Sequence, residues 1–295
     1  MRTVPRRPVL RRPGALAGSV GLAALLVVPA ASAAAQPAAT PAVPDVHLCS
    51  DLMRESEVDW VWDVQVRGDL VADAGCQVAF SNVLGDITVP PDGTLHAHGV
   101  NVHGDVTAEG PATVRQSQLH GAMTFTVGEG VEVEVARTWV GRALRGNAGQ
   151  VLLDGATVLG DVEIGTVHAA RVRDSVVGGA LDARGGGRLI VHRTAVTGDL
   201  TSTGAADVLA CRLVVDGDLT VTGVQGWSRV GLEDRLRCHS AVAGSVLVVD
   251  NPHTVVLDDL AVGGDLVCTG NTGPRGVELR GDLRVAGART GQCAG

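Results

Sequence analysis

The sequence is dominated by a Gly-Asp-hydrophobic triplet that first appears as Gly68-Asp69-Leu70 and last as Gly281-Asp282-Leu283. The glycines that anchor it fall at positions 68, 85, 104, 121, 141, 160, 179, 198, 217, 244, 264 and 281. All intervals but one are 17 to 20 residues, and the exception is 27 residues. Self-similarity at such a short period is typical of a chain that copies one supersecondary unit. The triplet therefore predicts a solenoid.

Apolar residues stand two positions before and two positions after every anchoring glycine. The column before the glycines contains Val66, Val83, Val102, Leu119, Trp139, Val158, Val177, Val196, Val215, Val242, Val262 and Leu279. The column after them contains Leu70, Ile87, Val106, Met123, Ala143, Val162, Leu181, Leu200, Leu219, Val246, Leu266 and Leu283. A spacing of two is strand alternation, and the short period leaves no room for a crossover helix. We therefore predict an all-β fold: a right-handed, single-stranded parallel β-helix of about 12 short coils, roughly 58 Å long.

The chain divides into five segments by composition. Residues 1–35 are predicted to be a signal peptide, because a basic start and an apolar stretch precede a small-residue site. Residues 36–45 form an Ala- and Pro-rich flexible lead-in, residues 46–65 a small N-terminal cap, residues 66–286 the repeats, and residues 287–295 a tail. The general secretory and twin-arginine routes both remain open. No long apolar segment follows the leader, so we expect a secreted protein with no membrane anchor.

The charge of the chain restricts its partners. The formal net charge is −8, and the predicted leader contains five arginines and no acidic residue, so the mature chain would carry −13. An acidic chain repels nucleic acid, which we therefore exclude as a partner. We expect an unknown extracellular or cell-surface ligand, and the sequence leaves the oligomeric state open. The aromatic content of 2% offers few platforms on which a sugar ring or base could stack.

The 27-residue interval marks a predicted insertion at residues 224–239, which we expect to project from the rod as a loop. Insertions on a solenoid often lie on its binding face. The candidate binding residues in this loop are Trp227, Arg229, Glu233, Asp234 and Arg235. A neutral surface excursion is the alternative, since long loops cost little additional free energy.

The aspartates of the triplet support two interpretations. They stand at positions 69, 86, 105, 161, 199, 218, 265 and 282, where strand alternation would point them outward. A ladder of carboxylates could bind calcium. Aspartate beside glycine is also typical of a bend, because its side chain accepts hydrogen bonds from nearby backbone N–H groups. The interrupted column favours the structural interpretation.

Histidine pairs suggest metal binding without completing a site. His103 and His120 both precede an anchoring glycine, which predicts that they lie one above the other on the outside. His96 and His98 share a face of the preceding strand. The repeat fixes no acidic third ligand, so we predict neither a metal site nor a cofactor.

Six cysteines in an exported chain indicate disulfides. Cys211 and Cys238 both stand six residues before an anchoring glycine, which places them on neighbouring turns. Cys268 with Cys293 would close the C-terminal end, and Cys49 with Cys76 would close the N-terminal end. This connectivity is one of the fifteen that six cysteines allow.

A catalytic constellation is not evident in the sequence. The adjacent pair Asp258 and Asp259 is the candidate for a carbohydrate-active enzyme, because polysaccharide lyases and hydrolases on this fold use carboxylates in a groove. Motifs for a nucleophile elbow, a zinc helix or a phosphate loop do not occur.

The segments VTGDLTSTG, VDGDLTVTG and VGGDLVCTGN, together with the tail TGQCAG, resemble secreted repeat-rich β-helix proteins of high-GC Gram-positive bacteria. This resemblance implies a secreted right-handed β-helix and supplies no active-site residues. The chain also resembles bactofilins, which are cytoskeletal β-helices that polymerise end to end. We expect a non-enzymatic structural or surface-interaction protein; a polysaccharide lyase or hydrolase and a bactofilin-like self-assembling scaffold are the alternatives.

Overall fold

The computed structural model describes residues 45–55, 59–73, 75–233 and 236–294. The predicted signal peptide and all but the last residue of the predicted lead-in lie outside the described residues. Within them the chain forms a β-solenoid of about twelve turns, which confirms the predicted fold class. The right-handed sense of the coil stays a prediction.

Each turn of the solenoid contributes one strand to each of three stacks. The first stack contains Val46–Leu48, Asp69–Val71, Ile87–Val89, Val106–Ala108, Met123–Thr126, Leu181–Arg184, Leu200–Thr203, Leu219–Thr222, Val246–Val249, Leu266–Thr269 and Arg289–Gly291. The second contains Val61–Trp62, Gly75–Ala79, Thr94–His98, Ala112–Arg115, Glu132–Ala136, Arg188–His192, Val208–Cys211, Ser228–Val230, Val255–Asp258 and Val277–Arg280. Leu144–Asp154 and Val162–Arg173 run continuously through both of these stacks.

The third stack consists of very short strands. It contains Gln65–Val66, Asn82–Val83, Asn101–Val102, Gln118–Leu119, Trp139–Val140, Thr157–Val158, Val176–Val177, Ala195–Val196, Val214–Val215, Ser240–Val242, Leu260–Val262 and Arg284–Val285. Pairing within all three stacks is parallel and joins equivalent residues of successive turns, as in Val106 with Met123. Equivalent side chains therefore lie above one another, and the inward ones form a single continuous core from Cys49 to Cys293.

One residue per turn makes the corner between the second and third stacks. It has the left-handed backbone conformation, either as glycine, for example Gly99, or as a larger residue such as Phe80 or Gln116. A buried hydroxyl often follows: Ser81 donates to the Ala79 carbonyl at 2.8 Å, and Ser117 donates to the Arg115 carbonyl at 2.8 Å. These hydrogen bonds offset part of the cost of the left-handed residue.

The two predicted apolar columns are interrupted at the fifth turn. The predicted inward residues were Trp139 and Ala143, but Val140 pairs with Leu119 and Leu144 pairs with Met123. The interval between the fourth and fifth turns is one residue longer than predicted. A slip of one residue moves a side chain to the opposite face of a strand. Trp139 consequently lies on the outer surface.

The last predicted repeat is also out of register. Leu279 was assigned to the third stack, but it pairs with Leu257 in the second stack. Val285 occupies the place predicted for Leu279, because it pairs with Val262 of the preceding turn. The last anchoring glycine is therefore Gly287. The triplet of residues 281–283 resembles the repeat by composition without occupying its place.

A short α-helix, Cys49–Glu55, covers the N-terminal end of the core, against which Leu52 and Met53 pack. The segment predicted as a cap, residues 46–65, contains this helix, but its strands Val46–Leu48 and Val61–Trp62 belong to the first two stacks. No described helix is long and apolar enough to span a membrane.

The predicted insertion is shorter than residues 224–239. Ser228–Val230 pairs with the turns on both sides and belongs to the second stack. The excursion begins after it and forms an antiparallel hairpin of Leu232–Glu233 with Leu236–Arg237. The 27-residue interval shows that residues are inserted but not where within the turn, so the predicted boundary came too early.

Candidate functional site

The aspartate column serves the backbone of the coil. Asp86 Oδ1 accepts the N–H of Asp105 at 2.8 Å, and Asp105 Oδ1 accepts the N–H of Ala122 at 2.7 Å. The same inter-turn bond is made by every aspartate of the column, namely Asp69, Asp86, Asp105, Asp161, Asp199, Asp218 and Asp265. Asp282 lies outside this column, and among the described residues its carboxylate accepts no such bond from a following turn. Its own N–H donates to Asp259 Oδ1 instead. The carboxylates therefore stabilise bends, as the structural interpretation predicted.

The three disulfides join the predicted pairs. Cys49 bonds to Cys76 beside the N-terminal helix, and Cys268 bonds to Cys293 in the tail. Cys211 bonds to Cys238 and closes the base of the hairpin. Three disulfides are typical of a protein that folds in an oxidising environment.

His103 and His120 stack outside the third stack as predicted. Their ring centroids are 5.1 Å apart, and Trp139 contacts His120 at 5.4 Å. The Nε2 atom of His120 lies 2.9 Å from Asn101 Oδ1. Among the described residues, no group of three or more His, Cys, Asp or Glu side chains could hold a metal ion.

The candidate catalytic pair is not arranged for catalysis. Asp258 is 4% exposed, and its side chain lies against the position of Gly281. Asp259 is a left-handed corner residue whose Oδ1 accepts the Asp282 N–H at 2.9 Å. A glycosidase needs both carboxyl groups to reach one glycosidic bond, but here Asp258 is buried and Asp259 Oδ1 is engaged by the backbone, with both Oδ1 atoms lying against Gly281.

The candidate binding residues of the insertion separate in the structure. Trp227 and Arg229 belong to the wall of the coil, where the guanidinium of Arg229 lies 5.4 Å from the centroid of the Trp227 ring. Glu233 begins the hairpin. Asp234 and Arg235 lie outside the described residues.

A cleft of about 270 Å³ opens beside Trp227. It is lined by Trp227, His253, Thr254, Pro274, Arg275, Glu278 and Arg280. Glu278 forms ion pairs with both arginines, and its distance to Arg275 is 3.0 Å. Burial raises the pKa of Glu278, but the hydrogen bonds from Arg275 and Arg280 outweigh it and hold the pKa below its ordinary value. We call this site the Trp227 cleft.

All but one of the described tryptophan and phenylalanine side chains lie on the outside of the solenoid. The chain contains four tryptophans, two phenylalanines and no tyrosine. Phe125 is the one described aromatic side chain of these types in the core, at 1% exposed. Trp60, Trp62 and Phe80 are 45%, 55% and 51% exposed and lie together on the first turns. Large aromatic side chains exposed as a group indicate a contact surface.

A groove of about 510 Å³ runs beside this group on the outer face of the second stack. It is lined by Trp60, Gln77, His96, Ala97, His98, Thr113 and Arg115. Phe80 connects it to Trp62, because its ring contacts Trp62 at 4.7 Å and His98 at 5.4 Å. We call this site the aromatic groove and include Trp62 and Phe80 in it.

The aromatic groove is lined mainly by apolar surface, includes a few polar side chains and is nearly neutral in charge. Its one guanidinium, Arg115, bonds to both carboxylate oxygens of Glu134, at 2.9 and 2.6 Å. The hydrogen bonds and the charge of Glu134 raise the pKa of Arg115. Gln77, His96 and Thr113 are paired in register on consecutive turns, so their side chains form one row.

The groove was missed at the level of sequence, although a signal for it exists. Trp60, Gln77, His96 and Thr113 each stand eight residues before an anchoring glycine. Trp62, His98 and Arg115 each stand six residues before one. Extending the repeat register upstream of each glycine would have placed these side chains on one face.

No family model, curated protein or solved structure matches this chain.

Proposed function

We propose that the protein is a secreted, non-enzymatic β-solenoid that binds a glycan at an extracellular or cell surface through the aromatic groove. The observation that carries this proposal is the grouping of Trp60, Trp62 and Phe80 on the outside of the first turns, in a chain with so few aromatic residues. An aliphatic core needs no aromatic side chains, and exposing three of them costs solvation free energy. A ligand that covers these rings would recover that solvation free energy.

The chemistry of the groove suits a neutral sugar chain. Aromatic ring faces pack against the apolar C–H face of a pyranose, while amide, imidazole and hydroxyl groups both donate to and accept from sugar hydroxyls. Gln77, His96 and Thr113 supply those groups in a row. The pairing of Arg115 with Glu134 removes the charge that would select an anion.

The solenoid supplies the rigidity that such a surface needs. Gln77, His96 and Thr113 are held on strands, and strands are more precise than loops in presenting side chains. The cap with Cys49 and Cys76 lies at the same end and limits fraying there. A preorganised groove loses little conformational entropy when it binds.

A glycan array with the purified protein tests this proposal. We expect binding to neutral oligosaccharides, and a loss of at least tenfold in affinity for Trp62→Ala and for Trp60→Ala. Val176→Ala is the matched control, because Val176 is 46% exposed on the third stack, away from the groove. The proposal is wrong if no glycan binds, or if Val176→Ala weakens binding as much as the tryptophan variants do.

Self-assembly is a second candidate, favoured by the C-terminal end. There Val277, Leu279, Leu283 and Val285 are half-buried, and none of the described residues up to 294 forms a helix over them. Open strand edges pair readily with another chain. Sedimentation velocity over a hundredfold concentration range would show dimers or filaments that Leu279→Arg abolishes; a monomer throughout would exclude this function.

A further inference from the structure

The Trp227 cleft differs from the aromatic groove in its charge. Two guanidiniums, Arg275 and Arg280, and one carboxylate, Glu278, line it, and Arg229 lies against the same indole. The cleft is therefore locally cationic on a chain whose formal net charge is −8. A cationic site on an acidic protein selects anions that the rest of the surface repels.

Glu278 holds the two arginines in place. Its side chain is 17% exposed, whereas those of Arg275 and Arg280 are 69% and 45% exposed. Each guanidinium has five N–H donors, so the bond to Glu278 leaves most of them open to the cleft. A second carboxylate can thus bind to the outer side of both guanidiniums, in the bidentate geometry that arginine favours.

Trp227 provides a flat apolar wall next to these donors. It is 60% exposed, the highest value among the large apolar side chains described, together with Val46. Its backbone N–H donates to Asp207 Oδ1 at 2.9 Å, and the guanidinium of Arg229 packs over its ring. The hydrogen bond holds the backbone of Trp227 and the guanidinium restrains the indole ring, which lowers the entropy that a ligand would have to remove.

We propose that the Trp227 cleft binds a carboxylated sugar, with its ring against Trp227 and its carboxylate held by Arg275 and Arg280. The volume of about 270 Å³ admits a single sugar ring. His253 and Thr254 line the same cleft and offer hydrogen bonds to the sugar hydroxyls. Binding here does not depend on the aromatic groove, since the two sites share no residue.

Both sites lie along the second stack, at opposite ends of the solenoid. The aromatic groove occupies its first strands, and the Trp227 cleft lies beside its last three strands, to which Arg229, Val256 and Glu278 belong in register. A polysaccharide that carries both neutral and carboxylated sugars can therefore contact both sites. Two linked contacts raise the overall affinity above that of either alone.

Calorimetric titration with a trisaccharide of galacturonate tests the inference. Its methyl-esterified form is the matched neutral probe, and sodium acetate is the matched simple anion. We expect the acidic trisaccharide to bind at least tenfold more tightly than either. Trp227→Ala, Arg275→Gln and Arg280→Gln should each weaken it threefold or more. The control Arg145→Gln should have no effect, since Arg145 is an exposed, ion-paired arginine of the first stack.

Four results would overturn the inference: no binding of the acidic trisaccharide, equal binding of its ester, equal binding of acetate, or an Arg145→Gln effect as large as that of Arg275→Gln. A neutral oligosaccharide that binds at Trp60 and Trp62 is unaffected by these variants. Failure of the Trp227 cleft and failure of the aromatic groove are therefore distinguishable.

Discussion

The carboxylate of Asp86 accepts the backbone N–H of Asp105, one turn further along the coil, at 2.8 Å. The same carboxylate lies where a side chain on Gly104 would be, since a Cβ built on Gly104 would be 2.0 Å from Asp86 Oδ1. The triplet therefore links two turns: the aspartate of one turn requires the glycine of the next. Because of the one-residue slip at the fifth turn, Arg142 occupies the glycine position there. The preceding turn has Ala122 in place of aspartate, which supports this dependence.

This dependence predicts unequal effects of two glycine substitutions. Gly104→Ala should lower the free energy of unfolding by about 2–3 kcal/mol, because the new methyl group overlaps Asp86. Gly198→Ala should cost about 1 kcal/mol, since a Cβ built on Gly198 would meet its nearest atoms, which belong to the backbone, at 2.9 Å. The preceding turn has Ala180 in place of aspartate. Chemical denaturation measures both, and equal losses would contradict the dependence.

A double-mutant cycle gives a stricter test of the same relationship. Asp86→Ala removes the inter-turn hydrogen bond and should cost about 1–2 kcal/mol alone. In combination with Gly104→Ala it should cost less than the sum of the two, because the overlap with Asp86 disappears while the overlap with the Gly85 backbone remains. Strict additivity would show that the aspartate and the glycine act independently.

The N-terminal cap should depend on pH through Asp73. Its carboxylate accepts both the N–H and the hydroxyl of Ser50, in the first turn of the helix, at 3.0 and 2.6 Å. Burial raises the pKa of Asp73, but the bonds from Ser50 outweigh it, so the pKa lies below its ordinary value. A lowered carboxyl pKa contributes stability at neutral pH that is lost as the pH falls through that pKa.

We therefore expect Asp73→Asn to weaken the cap by about 1 kcal/mol at pH 7. The difference from the unaltered protein should begin to shrink as the pH falls below the ordinary aspartate pKa of about 3.9 and should vanish only below the lowered pKa of Asp73. Hydrogen exchange of the amides of residues 50–55 measures this. Asp59→Asn, an exposed change nearby, should leave their exchange unchanged; a pH-independent effect of Asp73→Asn would refute the prediction.

The Cys211–Cys238 disulfide should matter most to the hairpin. It closes a segment of 27 residues, for which loop-closure entropy gives a stabilisation of about 3 kcal/mol. Changing both cysteines to alanine should make residues 231–239 the first site of limited proteolysis. The disulfide at Cys49 and Cys76 provides the comparison: its removal should expose the N-terminal helix and leave the hairpin resistant. Identical cleavage patterns in the two variants would contradict this assignment.

Much of the fold follows from periodicity, and the errors have local causes. The repeat set the stacks and the Cys211–Cys238 pair because strand register repeats from turn to turn, whereas the other two disulfide pairs were predicted from their places at the two ends of the repeats. It failed at Trp139, where one extra residue reverses the face, and at Leu279, where a similar triplet lies in another stack. Neither the slip at Trp139 nor the change of stack at Leu279 is visible in the composition of the segment. Only the strand-pairing partners reveal these two differences.

The candidate sites were harder to predict than the fold. Trp227 and Arg229 were singled out because they lie near a break in the period. Their partners Arg275 and Glu278 come from later turns, and the insertion obscures their register. Trp60 and Trp62 were assigned to the cap by composition, which concealed that they continue the outer rows of Gln77 and Arg115.

The polar side chains of the aromatic groove should contribute to ligand affinity as well as its aromatic side chains. Gln77→Ala and His96→Ala should each reduce affinity for a neutral oligosaccharide about threefold to tenfold, as expected for one lost hydrogen bond. Thr124→Ala, on the first stack, is the matched polar control. Calorimetry on the best ligand of the array measures these changes, and unchanged affinity in both groove variants would remove the polar row from the site.

The most direct test of the account is the set of indole N–H signals in a proton–nitrogen NMR spectrum. Four tryptophans give four such signals, from Trp60, Trp62, Trp139 and Trp227. On titration with cellotetraose and chitotetraose, the account predicts that at least one of these neutral probes shifts the signals of Trp60 and Trp62 and leaves that of Trp139 in place. Signals of Trp60 and Trp62 that stay unchanged with both probes, or that shift only together with all the others, would contradict a glycan-binding aromatic groove.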